Sequence, residues 1–157
     1  NQTDIGKTFA ESVDEKIAEF PEWEKEIRMY WEQWEDMIGG AVEGMEEWIR
    51  ELKEAGYNVY GLSNWSSETF PLVKNKFPVF GMMDGIVMSG EELIAKPDLR
   101  IYQILLDRYG LKADECVFID DRQSNIDAAQ AIGIHGITFK SCEQTKQAFH
   151  QIANKYN

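Results

Sequence analysis

The spacing of apolar positions divides the chain into two kinds of segment. In the first third, apolar residues recur every three or four positions, the period of a helix with one buried face. Phe9, Val13, Ile17 and Phe20 form one such stripe. Pro21 suits the first turn of a second helix, which carries Trp23, Ile27, Tyr30, Trp31 and Trp34. Gly39-Gly40 interrupts the pattern and marks a hinge. Val42, Met45, Trp48, Ile49 and Leu52 then share the face of a third helix, and Gly56 is placed to end it.

After Gly56 the rhythm changes. Short apolar runs over 59–63, 85–88, 116–119 and 134–139 read as strands. Helical patterns lie between and after them. One starts near 66–69, because Pro71 is tolerated only in a first turn. The others cover 97–109, with Pro97 at the first position and Gly110 past the end, then 124–132 and 143–156. Such alternation predicts an α/β fold, a parallel sheet with helices on its faces. No internal repeat or low-complexity segment is present.

Composition narrows the function. With 43% apolar and 12% aromatic residues in 157, one domain with a modest insertion has enough core material. A formal net charge of −12 disfavours nucleic acid and anionic membranes as partners. The charge is uneven: residues 1–54 hold 16 acids and 6 bases, while 55–157 hold 12 and 10. Cys116 and Cys142 are too few for a disulfide framework and fit a reducing, cytosolic setting. No apolar run approaches the roughly 18–20 residues that span a bilayer, and no secretory signal pattern opens the chain.

Three of the apolar runs end in chemistry-bearing residues. In neighbouring parallel strands these ends would converge, since such folds bind ligands at the carboxyl ends of their strands. Ser63-Asn64 offers a hydroxyl and the free N–H groups of a following helix, an anion site, although both residue types are also common helix caps. Lys96 supplies a point charge suited to phosphate. Asp120-Asp121 places two carboxylates side by side, which repel unless a cation or solvent offsets them. Magnesium takes one or two carboxylates with waters and phosphate oxygens. The set suits a phosphoryl group and a magnesium ion. Trp23, Trp31, Trp34 and Trp48 sit at helical spacing and read as core before pocket. Trp65 follows Ser63-Asn64 and borders the candidate site. Glu91-Glu92 reads as a solvated pair. His135 and His150 have no matching nucleophile or ligand set.

The order Leu62-Ser63-Asn64, Lys96-Pro97, Phe118-Ile119-Asp120-Asp121 resembles motifs II, III and IV of the haloacid dehalogenase-like hydrolase superfamily. Ser63 and Lys96 are 33 residues apart, and Lys96 and Asp121 25. The phrases Lys96-Pro97-Asp98-Leu99-Arg100-Ile101-Tyr102 and Asp120-Asp121-Arg122-Gln123-Ser124-Asn125-Ile126-Asp127-Ala128-Ala129 are similar to its helical-cap subfamily. The nearest groups there are sugar-phosphate phosphatases and the phosphatase domain of epoxide hydrolases. The resemblance implies a Rossmann-like parallel core over 39–157 and the latter part of a helical cap over 1–38. It implies a magnesium-dependent phosphatase of small phosphorylated metabolites, working through an aspartyl-phosphate. Ser63, with N–H groups near Asn64, would bind the phosphoryl group, and Lys96 would offset its charge. Asp121 would be the main magnesium ligand, Asp120 a second, and Asn125 a support for their loop. The superfamily's nucleophile and general acid lie in an Asp-x-Asp motif on the central strand, and no Asp-x-Asp occurs here. The resemblance therefore implies an intact protein that extends upstream, and a chain that is inactive by itself. The alternatives are a 2-haloacid dehalogenase, which needs no metal, and a fragment or binding module without catalysis.

Overall fold

A computed structural model describes residues 2–155. Side-chain caps set where some of its helices begin. Thr8 accepts a hydrogen bond from the Glu11 N–H, and the Glu11 carboxylate accepts one from the Thr8 N–H. This reciprocal box starts α1 (Phe9–Glu19). Pro21 opens a 3-10 turn, Pro21–Trp23, that runs into α2 (Glu24–Glu32). A further turn, Trp34–Met37, ends the helical stretch. The chain around Gly39-Gly40 has no helix, as the break predicts, and α3 (Met45–Glu54) follows. Val42 was expected on the apolar face of α3 but precedes the helix and is 53% exposed. Gly44, at a φ of +79°, reverses the chain just before α3 and leaves Val42 outside.

Four parallel strands follow. β1 (Tyr60–Ser63) pairs with β2 (Gly85–Met88) from Tyr60↔Gly85 to Ser63↔Met88. β3 (Val117–Asp120) pairs with β4 (His135–Thr138) from Val117↔His135 to Asp120↔Thr138. These are two separate two-stranded sheets and not the single sheet the alternation predicts. Between and after the strands lie α4 (Phe70–Lys74), α5 (Val79–Met82), α6 (Ser89–Glu92), α7 (Leu99–Tyr109), α8 (Gln123–Ala131) and α9 (Cys142–Ala153). Asp98, and not Pro97, starts α7: its carboxylate accepts from the Arg100 N–H at 2.9 Å. Residue 156, the expected end of the last helix, lies outside the described residues.

The layers follow from alternation along the strands. Tyr60, Leu62, Val87 and Phe118 turn to one face and pack with Ile101, Tyr102 and Leu105 of α7 and Ala128 and Ala129 of α8. Val117, Ile119 and Ile137 turn to the other and meet Trp48 of α3 and Phe149 of α9. The helical stretch is joined to this body by aromatic contacts. Phe9 stacks on Trp31 at 4.5 Å between centroids, and Trp34 meets Trp65 edge-on at 6.3 Å. The Phe9 N–H also donates to the Glu68 carboxylate at 2.6 Å, and Lys76 pairs with Glu35. The helices therefore sit against the loop that leaves β1.

Two local devices align β1 with β2. At their start, the Asp84 carboxylate accepts from Lys53 Nζ at 2.6 Å and from the Val59 N–H at 2.7 Å. At their end, the Trp65 N–H donates to Ser89 Oγ at 3.0 Å, and the Gly90 N–H returns a bond to the Trp65 carbonyl at 3.1 Å. A Cβ on Gly90 would lie 2.5 Å from the Ser67 nitrogen and 2.7 Å from the Trp65 oxygen. Both are backbone atoms, so only glycine permits this approach.

Each device has a measurable consequence. The Gly90→Ala substitution should cost about 1–3 kcal/mol, seen as a lower urea midpoint at unchanged slope; an unaltered midpoint would show that the loop yields without cost. The hydrogen bonds from Lys53 and from the Val59 N–H hold the Asp84 carboxyl below its ordinary 3.8. A carboxyl lowered in the folded state stabilises the fold above its unfolded value and loses that contribution as pH falls through the folded one. The stability gap between wild type and Asp84→Asn should thus be widest at neutral pH and narrow below 3.8. Urea unfolding at pH 7 and pH 3, followed by tryptophan fluorescence, checks this; a gap that does not change with pH contradicts it.

Candidate active site

Ser63 and Asp120 are the last residues of β1 and β3, so parallel topology brings them to the same end of the fold. Lys96 reaches that end from the loop before α7. Its Nζ donates to the Leu62 carbonyl at 2.6 Å and to Asp120 Oδ2 at 2.8 Å. One ammonium thus links the β1 pair of strands to the β3 pair. The two side chains are only 9% and 8% exposed. The Lys96 Nζ also lies 5.4 Å from the centroid of the Phe118 ring.

Asp120 accepts hydrogen bonds on both carboxylate oxygens. Its Oδ1 accepts from the Arg122 N–H and from Asn125 Nδ2, both at 2.9 Å. Burial pushes its carboxyl upward, but the hydrogen bonds from Lys96, the Arg122 N–H and Asn125 outweigh burial and leave it below the ordinary aspartate value. The Asn125 carbonyl accepts from the Tyr102 hydroxyl at 2.8 Å, and Tyr102 meets Phe118 edge-on at 5.3 Å. Burial first, and then the charge of Asp120, raise the Tyr102 hydroxyl far above its usual range, so it stays protonated and donates. Lys96, Asp120, Asn125, Tyr102 and Phe118 form a closed circuit of contacts.

The Asn64 carboxamide bonds the backbone of Lys96 in both directions. Its Nδ2 donates to the Lys96 carbonyl at 2.9 Å, and its Oδ1 accepts from the Lys96 N–H at 2.8 Å. The Trp65 N–H, one of the groups expected to face an anion, is taken by Ser89. What remains open is the Ser63 hydroxyl, which makes no hydrogen bond among the described residues, and the backbone N–H of Asn64. Asp121 is exposed and makes no side-chain hydrogen bond or ion pair among the described residues.

Ser63, Lys96 and Asp120 thus lie at the same end of the fold, where a hydroxyl and an ammonium offer donors and the Asp120-Asp121 pair offers carboxylates. Among the described residues, no group of three His, Cys, Asp or Glu is placed to hold a metal ion. Asp121 with Asp120 matches the smaller donor set that magnesium accepts when water and phosphate oxygens complete its shell.

The remaining candidates separate clearly. Trp48 is core, 2% exposed against Phe149, whereas Trp23 is 55% exposed. Trp31 and Trp34 belong to the aromatic contacts under the helices, and Trp65 bonds Thr69 at 2.9 Å while packing on Trp34. Glu92 is not a solvated bystander: it pairs with Arg108 at 2.6 Å. His135 contacts the Asp114 carbonyl, and His150 the Phe149 ring. Sequence reasoning assigned no role to Tyr102, Phe118 or Ser89. It also passed over Asp4, whose carboxyl is raised by burial and partly offset by the charge of Arg122, next to Asp121. Only Tyr102 and Phe118 had a signal, inside the quoted motif phrases.

Known proteins are similar to this chain in sequence and fold. A profile described as haloacid dehalogenase-like hydrolase matches residues 3–133. The sesquiterpene phosphatase astK of Aspergillus oryzae is 33% identical over 107 residues, 66% of this chain and 55% of that protein. The (S)-2-haloacid dehalogenase 4A of Burkholderia cepacia is 30% identical over 91 residues, 58% of this chain and 39% of that protein. The chain spans about half the length, or less, of these curated relatives. Among solved structures, the HAD family enzyme bt-2542 of Bacteroides thetaiotaomicron, in complex with magnesium and inorganic phosphate, superposes with a TM-score of 0.73. It is 26% identical and is matched over 90% of this chain and 74% of its own. With most of its length inside the family profile, the chain belongs to the haloacid dehalogenase-like hydrolases.

Proposed function

We propose that this chain belongs to a magnesium-dependent phosphomonoesterase acting on small phosphorylated metabolites such as sugar phosphates. The observation that carries the reading is the Lys96 ammonium, buried between the Leu62 carbonyl of β1 and Asp120 of β3, at the strand end where Ser63 follows Leu62. A buried cation at the carboxyl ends of parallel strands is suited to hold a phosphoryl oxygen. The magnesium and phosphate bound by bt-2542 support the same chemistry. Asp121 and Asp120 would hold the magnesium, which would offset charge on the phosphoryl oxygens. Ser63 would donate to one oxygen, Lys96 would sit against another, and Asn125 would keep Asp120 oriented. The helical stretch 1–38 would act as a cap over this end of the core.

The nucleophile in this proposal is a carboxylate on a further strand between β1 and β3. Two facts support that strand. The facing edges of β1 and β3 belong to different sheets, and all four residues of each strand are only half-buried. Middle strands of a parallel sheet are normally buried on both faces. The carboxylate would attack phosphorus as the alcohol leaves with a proton from a neighbouring acid, and water would then hydrolyse the aspartyl-phosphate. The two unpaired thiols, Cys116 and Cys142, suit a cytosolic setting. The dehalogenase alternative is weaker, because the open Asp121 beside Asp120 would raise the pKa of an attacking carboxylate unless a cation offset it.

The full-length protein should hydrolyse p-nitrophenyl phosphate only with magnesium. Lys96→Ala should lower kcat by about 10²–10³-fold or more, the scale of losing a preorganised charge partner. Near-normal turnover by Lys96→Ala, or full activity in a chelator, would sink the proposal.

A further inference from the structure

Leu62-Ser63-Asn64 grips Lys96 at both ends. The Leu62 carbonyl receives the ammonium at 2.6 Å, and the Asn64 carboxamide bonds both the N–H and the carbonyl of the Lys96 main chain. Ser63, between them, keeps its hydroxyl open. Among the described residues, these two bonds to Asn64 are the hydrogen bonds that the Lys96 main chain makes. Lys96 lies in a loop, outside any strand or helix, and the next residue is a proline without an N–H to donate.

A lysine has four flexible side-chain bonds, so its ammonium is placed only as well as its backbone is held. We infer that Asn64 is a positioning residue: its carboxamide fixes the Lys96 backbone, and so sets where the ammonium stands between β1 and β3, without itself binding the phosphoryl group. The two hydrogen bonds span 32 residues of sequence. They therefore couple the end of β1 to the loop before α7, which no local turn could do. The binding half of the following test rests on the proposed phosphatase reading; the exchange half does not.

Amide hydrogen exchange at Lys96, read by NMR in the full-length protein, tests the clamp directly. Asn64→Ala removes the acceptor of the Lys96 N–H and should speed its exchange about tenfold or more. Asn64→Asp keeps the acceptor but loses the donor to the Lys96 carbonyl, so its exchange should fall between those of wild type and Asn64→Ala. A change below twofold in Asn64→Ala would overturn the inference. Inorganic phosphate, titrated by calorimetry in the presence of magnesium, gives the second readout through a double-mutant cycle. If Asn64 acts only through Lys96, Asn64→Ala combined with Lys96→Ala should bind phosphate no more weakly than Lys96→Ala alone. Losses that multiply would make Asn64 an independent ligand and overturn the positioning role. If wild type fails to bind phosphate even with magnesium present, the phosphatase proposal falls and the exchange result alone decides the role of Asn64.

Discussion

A buried ammonium constrains everything around it. Taking Lys96 and Asp120 out of water costs several kcal/mol per ion, and their mutual attraction repays this only when the other polar atoms are satisfied. Here they are. Lys96 has the Leu62 carbonyl and the face of Phe118 in addition to Asp120, and Asp120 has the Arg122 N–H and Asn125. Removing either partner would leave a lone buried charge, which typically costs about 3–5 kcal/mol. The pair is thus weak evidence for stability and strong evidence for placement. Its members are dictated by one another, and Asn125, Tyr102 and Phe118 are dictated by the pair.

The same ammonium stands where the sheet is discontinuous. β1 and β3 share no ladder hydrogen bonds, yet both contribute to one apolar cluster. Helices α7 and α8 cover that cluster and hold the two strand pairs side by side. Apolar burial does not depend on direction, so it can join the halves without fixing their register. Polar groups are specific. The only side chain described as bonding both β1 and β3 is Lys96, which meets one backbone carbonyl and one carboxylate. A strand inserted in the gap would pair the exposed edges, and an open edge is a liability that folds normally cover. The position of Lys96 at the carboxyl end, instead of along the edges, leaves the length of both strands free for such pairing.

Much of this was legible in the sequence, for reasons that differ by element. The strand Gly85–Met88 has the bounds that the sequence predicts, because an aspartate–glycine pair and a polar residue bracket a short apolar run. The other strands were placed within about one residue, the usual limit at element ends. α7 starts later than the sequence predicts: Pro97 is a good first residue of a helix, yet the Asp98 carboxylate caps the Arg100 N–H and sets the start. α5 and α6, at four residues each, are too short to show a helical period. The split sheet was implied by resemblance alone, since periodicity describes faces of strands and is silent on neighbours. The site was legible as residue types: hydroxyl, ammonium and carboxylates fall where the strand ends were expected. Asn64 was not legible as a clamp. A cap, an anion ligand and a long-range clamp all use the same amide, and only the distant Lys96 backbone tells them apart.

Charge at the site connects geometry to the proposed chemistry. The chain carries a net −12, so its field does not draw in an anion. Locally, Lys96 is balanced by Asp120 at 2.8 Å, and Arg122 is partly balanced by Asp4. Asp121 then stands as an exposed carboxylate without a partner among the described residues. A phosphoryl dianion meeting this set finds hydrogen-bond donors but no surplus of positive charge. Donors without net charge bind such a group poorly in competition with water. A divalent cation on the Asp121 side would reverse the balance with the residues already present. In the proposed phosphatase the magnesium would therefore decide whether the anion binds at all, before any bond is broken. Lys96 alone, already committed to Asp120 and to the Leu62 carbonyl, cannot take over that role.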